Sequence, residues 1–183
     1  MLILDYFNPG TPPDQPSLAN GHVNLSELVG KNVTVFVTHE HQDHFDPRIF
    51  QWVDSIPGLT YVLGFRPENL PQYRDSGFTG PAYEYLAPRE SRKIGDMKVT
   101  TIAANDAGVG FMVEVDGLKI YHAGDHAGWR PGQRDGFIAE IEFIAENIPA
   151  IDVAFLNATG CHVQDTIALQ ESIQYTLNKL NPG

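Results

Sequence analysis

Residues 38–47 read THEHQDHFDP and follow directly after the apolar run VTVFV at residues 33–37. Within six residues the stretch places the imidazoles of His39, His41 and His44 together with the carboxylate of Asp43. Neutral imidazole and carboxylate are the ligands that zinc, manganese and iron accept from proteins. The stretch therefore predicts a metal site.

The spacing of these residues favours two ions. Side chains two apart on a strand point the same way, so His39 and His41 would share one side. If the chain turns after His41 and a helix begins near Asp46-Pro47, Asp43 and His44 reach the same cavity from another direction. The alternative is a polar surface loop whose histidines are satisfied by backbone carbonyls.

The HxHxDH pattern resembles the metallo-β-lactamase-fold hydrolases, in which it follows a buried strand. A second segment, GVGFMVEVDGLKIYHAGD at residues 108–125, resembles the strand pair of that family that ends in a metal-bridging aspartate, here Asp125. The HAGD wording is most similar to small bacterial metal-dependent hydrolases related to the ascorbate-6-phosphate lactonases. The resemblance covers nearly the whole chain but does not specify a substrate.

The resemblance implies an α/β (α+β) fold, the four-layer αβ/βα sandwich, and a set of metal ligands. His39 and His41 would bind a first ion, Asp43 and His44 a second, and Asp125 would bridge both. The family's further histidine for the first ion is absent from residues 103–108, AANDAG, where Asp106 is the best substitute. Its other interpretation is a turn-forming Asn-Asp pair. Zinc is the expected metal, and a carboxylate at Asp106 would favour manganese or iron.

Both ends of the chain differ from the family pattern. Family members have strands before the one expected at residues 1–6, and the last ligand is a histidine on a strand after the last helix, whereas this sequence stops at residue 183. We expect a domain that lacks terminal strands. The last ligand is then missing, lies beyond the chain, or is supplied by His162.

Composition favours one globular domain over residues 1–183, since 42% of the residues are hydrophobic and Gly and Pro are scattered. A net charge of −11 disfavours nucleic acid as a partner. No apolar run approaches the roughly 20 residues of a membrane span, and the start lacks signal-peptide features. We expect a cytoplasmic protein with a small-molecule substrate, whose oligomeric state the sequence does not indicate.

The apolar pattern predicts strands near residues 1–6, 33–38, 60–64, 98–104, 110–116, 118–123 and 151–156. Asp116-Gly117 predicts a tight hairpin that leads to Asp125. Helical spacing predicts helices over residues 135–147 and 165–180, and a short helix after Asp46-Pro47.

Three further sets of residues are candidates for supporting roles. His126 could donate a proton to a leaving group, bind substrate from the edge of the cavity, or only orient the Asp125 loop. Asp46 could hold a ligand imidazole by a hydrogen bond, cap the helix, or do both. Arg130 and Arg134 could bind an anionic substrate tail, or lie on the surface.

The leading functional hypothesis is hydrolysis of an ester, lactone or phosphodiester bond by a metal-bound hydroxide, with Asp43 and His126 as the catalytic residues. The alternatives are a di-iron oxidoreductase of the same fold and a non-catalytic, metal-stabilised binding protein.

Overall fold

The structure, a computed structural model, describes residues 1–7, 10, 13–159 and 163–183. Within these residues the chain divides into two compact units, Met1–Tyr85 and Leu86–Gly183, here called the N-terminal unit and the C-terminal unit. Each unit has its own sheet and its own apolar core. The mixed sheets and helices agree with the predicted α/β class, whereas the single domain and the four-layer stacking stay predictions.

The N-terminal unit contains a four-stranded parallel sheet of order β1-β2-β3-β4. The strands are β1 (Leu2–Leu4), β2 (Thr34–Val37), β3 (Thr60–Leu63) and β4 (Glu84–Tyr85). All four residues of β2 are buried, as the near-continuous apolar run of an inner parallel strand predicts. Because β1 and β2 are parallel neighbours, the residues that follow each strand lie at the same edge of the sheet.

Short 3-10 helices connect these strands, at Leu18–Asn20, Leu25–Glu27, Pro47–Asp54 and Pro67–Asn69. The helix Pro47–Asp54 confirms the helix expected after Asp46-Pro47. It buries Ile49, Phe50 and Trp52 in the core of the unit and so anchors the end of the HxHxDH loop.

The C-terminal unit contains a five-stranded sheet of order β5-β6-β7-β8-β9. The strands are β5 (Ser91–Ile94), β6 (Met97–Ala103), β7 (Val109–Val115), β8 (Leu118–His122) and β9 (Val153–Phe155). All pairs are antiparallel except β8 and β9, which are parallel. The sequence pattern misses β5, since its Ser91, Arg92 and Lys93 lack the apolar alternation of a half-buried strand.

The hairpin between β7 and β8 has the predicted turn. Asp116 and Gly117 both adopt positive φ, 52° and 80°, as a two-residue type I′ turn requires. Val115 pairs with Leu118 across it. The hairpin therefore delivers Asp125 three residues after the end of β8.

Two helices form the rest of the C-terminal unit, α1 (Arg134–Asn147) and α2 (Thr166–Leu180), within about one residue of the predicted bounds. Their apolar faces pack on one side of the sheet. The core there includes Ile102, Met112, Tyr121, Phe137, Ile141 and Leu180. Among the described residues, no helix is both long and apolar enough to cross a membrane.

Helix α2 depends on its N-cap. The Asp165 carboxylate accepts hydrogen bonds from the backbone N–H groups of Ile167 and Ala168 at 2.9 and 3.1 Å. We expect Asp165→Ala to lower the free energy of unfolding by about 0.5–2 kcal/mol, because two N–H groups lose their acceptor. Urea unfolding followed by far-UV circular dichroism measures this. Asp165→Asn retains an acceptor and is expected to stay within a few tenths of the wild type; an equal loss in both variants would contradict the capping role.

Candidate metal centre

The loop after β2 folds back on itself, so that its three histidines cluster. The backbone N–H groups of His44 and Phe45 both donate to the carbonyl of His41, at 3.0 and 2.9 Å. This turn brings the His44 ring to 4.2 Å from the His39 ring and leaves the His41 ring 4.5 Å from His39, centroid to centroid. The structure therefore brings together the three predicted imidazole ligands of the N-terminal unit.

His39 and His41 present ring nitrogens to each other. His39 Nε2 and His41 Nδ1 are 3.0 Å apart. Two nitrogens on one tetrahedral zinc ion, each about 2.0–2.1 Å from the metal, would be separated by roughly 3.3 Å. The observed distance also suits one N–H···N hydrogen bond between the two rings. For an ion to take the place of this proton, the two nitrogens would have to move apart by a few tenths of an ångström. The pair fits a metal site.

Asp5 controls the protonation pattern of this cluster. Its carboxylate accepts hydrogen bonds from the Thr38 backbone N–H, the Thr38 hydroxyl and His44 Nδ1, each at 2.7 Å. Since His44 Nδ1–H donates to the carboxylate, the lone pair of a neutral His44 ring is on Nε2. That is the nitrogen a metal would use.

The same carboxylate acts on His39 through Thr38. The single hydroxyl proton of Thr38 goes to Asp5, so the 3.0 Å contact between Thr38 Oγ1 and His39 Nδ1 must be an N–H···O bond from the imidazole. His39 then has its lone pair on Nε2, the nitrogen that faces His41. Outer hydrogen bonds of this kind orient metal-binding imidazoles and fix their tautomer.

Asp43 lies at the outer side of the loop. Its side chain is 56% exposed, and its Oδ2 is 3.8 Å from His44 Nε2. That distance is too long for a hydrogen bond. The two groups are close enough to approach one ion by rotation of the exposed carboxylate, and their assignment to a second ion stays a prediction.

Asp46 caps the following helix and is not the residue that holds an imidazole. Its carboxylate accepts from the Arg48 backbone N–H at 2.9 Å and from the Arg48 guanidinium. Burial alone would raise the pKa of Asp46, but the hydrogen bonds and charge of Arg48 outweigh it and lower that pKa. Within the part of the chain that the structure describes, no imidazole bonds to this carboxylate, and the carboxylate that holds His44 is Asp5.

Asp125, the predicted bridging ligand, is 1% exposed in the loop that follows β8. The side-chain amide of Asn157 donates to its Oδ1 at 2.6 Å. Asn157 follows β9, the parallel neighbour of β8, and therefore lies at the same edge of the sheet.

Asp106, the predicted substitute ligand, lies in a loop that is fastened to the segment after Asp125. Asn105 Oδ1 accepts from the Ala127 backbone N–H at 3.0 Å, and Asn105 Nδ2 donates to the Gly128 carbonyl at 2.7 Å. The Asp106 carboxylate is 3.7 Å from the guanidinium of Arg130. Its role as a ligand stays a prediction, and an ion there would compete with Arg130.

The remaining histidines occupy different surroundings. His126 is buried, its ring stacks on Phe137 at 4.1 Å, and its Nε2 is 3.3 Å from the Phe137 carbonyl oxygen. These contacts agree with an orienting role for its loop, and its role as a proton donor stays a prediction. His122 Nδ1 accepts from the Gly124 backbone N–H at 3.1 Å. His162 lies outside the described residues.

Sequence reasoning missed Asp5 and Asn157. Each is a polar residue placed just after a short strand that runs parallel to, and beside, the strand that carries predicted ligands. Polar residues at the carboxyl ends of neighbouring parallel strands converge, which is the signal that could have found both.

Comparison with known proteins finds relatives that are described as metal-dependent hydrolases. No protein-family model matches the chain. A UPF0173 metal-dependent hydrolase of Polaromonas sp. is 26% identical, over 76% of this chain and 52% of that protein. Another of Rubrobacter xylanophilus is 32% identical, over 61% of this chain and 51% of that protein. The chain spans about half the length of the curated relatives it matches.

Among solved structures, CmlA, a diiron β-hydroxylase from Streptomyces venezuelae, is similar with a TM-score of 0.53 at 16% identity. The similarity covers 81% of this chain and 34% of CmlA. At this identity the comparison bears on the fold alone. This similarity agrees with the predicted α/β class of the fold. The two curated relatives confirm the resemblance of the chain to metal-dependent hydrolases.

Proposed function

We propose that the chain is a metal-dependent hydrolase that acts on a small carbonyl substrate, an ester or a lactone. The observation that carries the proposal is the pair of ring nitrogens of His39 and His41, 3.0 Å apart, with the lone pair of His39 directed between them. The two curated relatives, both described as metal-dependent hydrolases, support it.

The proposed cofactor is a pair of divalent ions, with zinc as the first choice. His39 and His41 would bind the first ion, Asp43 and His44 the second, and Asp125 both. Asp106 would complete the first set. This distribution rests on the resemblance to the metallo-β-lactamase-fold hydrolases.

Bound divalent ions would lower the pKa of water toward neutrality and polarise the substrate's carbonyl oxygen. The chain's own residues would fix the orientation and the tautomer of the imidazole ligands for this chemistry. Asp5 and Thr38 keep the Nδ1 protons of His39 and His44 on the far side of each ring. The anchored helix Pro47–Asp54 fixes where the loop ends.

Charge favours a carbonyl substrate over a phosphodiester. The net charge of the chain is −11. Both arginines that follow Asp125 and could bind an anionic group have partners, Arg130 the Asp106 carboxylate and Arg134 the ring of Trp129 at 5.4 Å. A phosphodiester would have to displace one of these contacts to find a cation.

The test combines metal content with activity. Elemental mass spectrometry on protein purified without added metal is expected to find close to two equivalents of zinc or manganese. The loaded protein is then screened on lactones, esters and phosphodiesters, with the chelator-treated protein as control, and hydrolysis that depends on the metal is expected for the first two classes. Protein that contains no metal and takes up none of zinc, manganese or iron would overturn the proposal.

The same measurement separates the alternatives. Two redox-active irons with no metal-dependent hydrolysis would favour an oxidoreductase, the class of the similar CmlA structure. One bound ion and no hydrolysis of any substrate class would favour a non-catalytic, metal-stabilised binding protein.

A further inference from the structure

Asp125, which follows β8, is hydrogen-bonded to Asn157, which follows β9. His122, the last residue of β8, pairs with Phe155, the last residue of β9, in parallel register. The chain continues from both strands at the same edge, which brings Asn157 beside Asp125. The Asn157 amide nitrogen donates to Asp125 Oδ1 at 2.6 Å.

The orientation of the Asn157 amide is fixed from its other side. Its Oδ1 accepts two hydrogen bonds from Thr159, one from the backbone N–H and one from the hydroxyl, both at 2.9 Å. Flipping the amide would place its NH2 group against the Thr159 N–H and its oxygen against the Asp125 carboxylate. Thr159 therefore ensures that a donor, and not an acceptor, faces Asp125.

We propose that Asn157 is a positioning residue that orients the Asp125 carboxylate for metal binding. The hydrogen bond from the amide to Oδ1 limits the rotation of the carboxylate and so fixes its orientation. The inference rests on the proposed function, since it requires Asp125 to be a ligand.

A neutral amide suits this task better than a cation. Asp125 is 1% exposed, and a buried carboxylate requires hydrogen-bond donors. An Arg or Lys at position 157 would satisfy that need but would also neutralise the charge that attracts the ions. Asn157 donates a hydrogen bond without adding a charge of its own.

The experiment measures zinc affinity by competition with a chromogenic chelator, on the full chain. We expect Asn157→Ala to bind zinc about 10-fold more weakly than the wild type, the effect usual for loss of an outer hydrogen bond to a ligand. Asn147→Ala is the matched control. Asn147 is exposed at the C-terminal end of α1, where its amide donates a local bond to the Phe143 carbonyl, so the zinc affinity of this variant is expected to equal that of the wild type.

Three further measurements distinguish the positioning of Asp125 by Asn157 from a general effect of Asn157 on folding. In an Asp125→Ala background, adding Asn157→Ala is expected to leave zinc affinity unchanged, because the residue it positions is gone. Thr159→Val, which removes the hydroxyl donor, is expected to weaken binding a few-fold, whereas Thr159→Ser restores it. The visible absorption of the cobalt-substituted protein is expected to change in Asn157→Ala and not in Asn147→Ala.

The outcomes separate this inference from the proposed function. If the wild type binds no zinc, the proposed function fails and the inference with it. If Asp125→Ala loses zinc but Asn157→Ala binds it as tightly as the wild type, the proposed function stands and the inference is wrong. Equal effects of Asn157→Ala with and without Asp125 would likewise overturn it.

Discussion

His41→Ala is expected to lower the metal content of the purified protein from about two equivalents to about one, through loss of the first ion. His41 supplies one of two ring nitrogens that are 3.0 Å apart, so its removal leaves the first ion with half of this pair. Loss of a ligand should exceed the roughly 10- to 100-fold loss in affinity caused by removing an outer-shell partner. Elemental mass spectrometry and chelator competition measure it.

This variant separates metal binding from folding, because His41 is exposed and its side chain contributes little to the core. The unfolding midpoint of the metal-free protein is expected to match the wild type. The control is His22→Ala, a histidine in the same unit outside the HxHxDH loop, which should keep the wild-type metal content. A His41→Ala protein with the full metal content would show that the metal does not bind to this loop through His41.

Asp5→Ala is expected to weaken zinc binding by about 100-fold, the upper end of the range for outer hydrogen bonds to ligands. One carboxylate sets the tautomer of two proposed ligands, His44 directly and His39 through Thr38. Without it, both rings can place their proton on Nε2, where an ion would have to bind. Isothermal titration with zinc measures the affinity.

The same substitution should also lower stability in the absence of metal. The Thr38 backbone N–H is buried and would lose its acceptor, which typically costs about 1–3 kcal/mol. Asp14→Ala, an exposed carboxylate in the same unit, is the control and should change neither quantity. Wild-type zinc affinity in a folded Asp5→Ala protein would show that the tautomers are set elsewhere.

The elements with a local signal were predictable from the sequence. The apolar run before residue 38, the Asp116-Gly117 turn and the helical spacing of residues 135–147 each depend on neighbours in the chain, and each gave the observed element. The clustering of His39, His41 and His44 depends on the turn in the loop after β2, since the strand ends at Val37 and the expected strand alternation does not reach His39 and His41. Short polar strands such as β5 carry no such signal.

The supporting shell of the site was not predictable in this way. The sequence offered Asp46, two residues after His44, as the partner of an imidazole, but its neighbour Arg48 and the helix N-terminus hold that carboxylate. The partner is Asp5, 39 residues away. Its role depends on β1 lying beside β2, and the order of strands in a sheet is a long-range property that local patterns do not encode.

The hydrogen bonds of Asp5 also determine the proton balance of metal uptake. Metal binding commonly releases protons, because ligands must be deprotonated before they bind. In neutral His39 and His44 the proton already lies on Nδ1, held by Thr38 and Asp5, so Nε2 receives an ion without giving one up. In this neutral form these two residues would bind an ion without exchanging protons with the solvent, so the heat of binding that they contribute should not depend on the buffer.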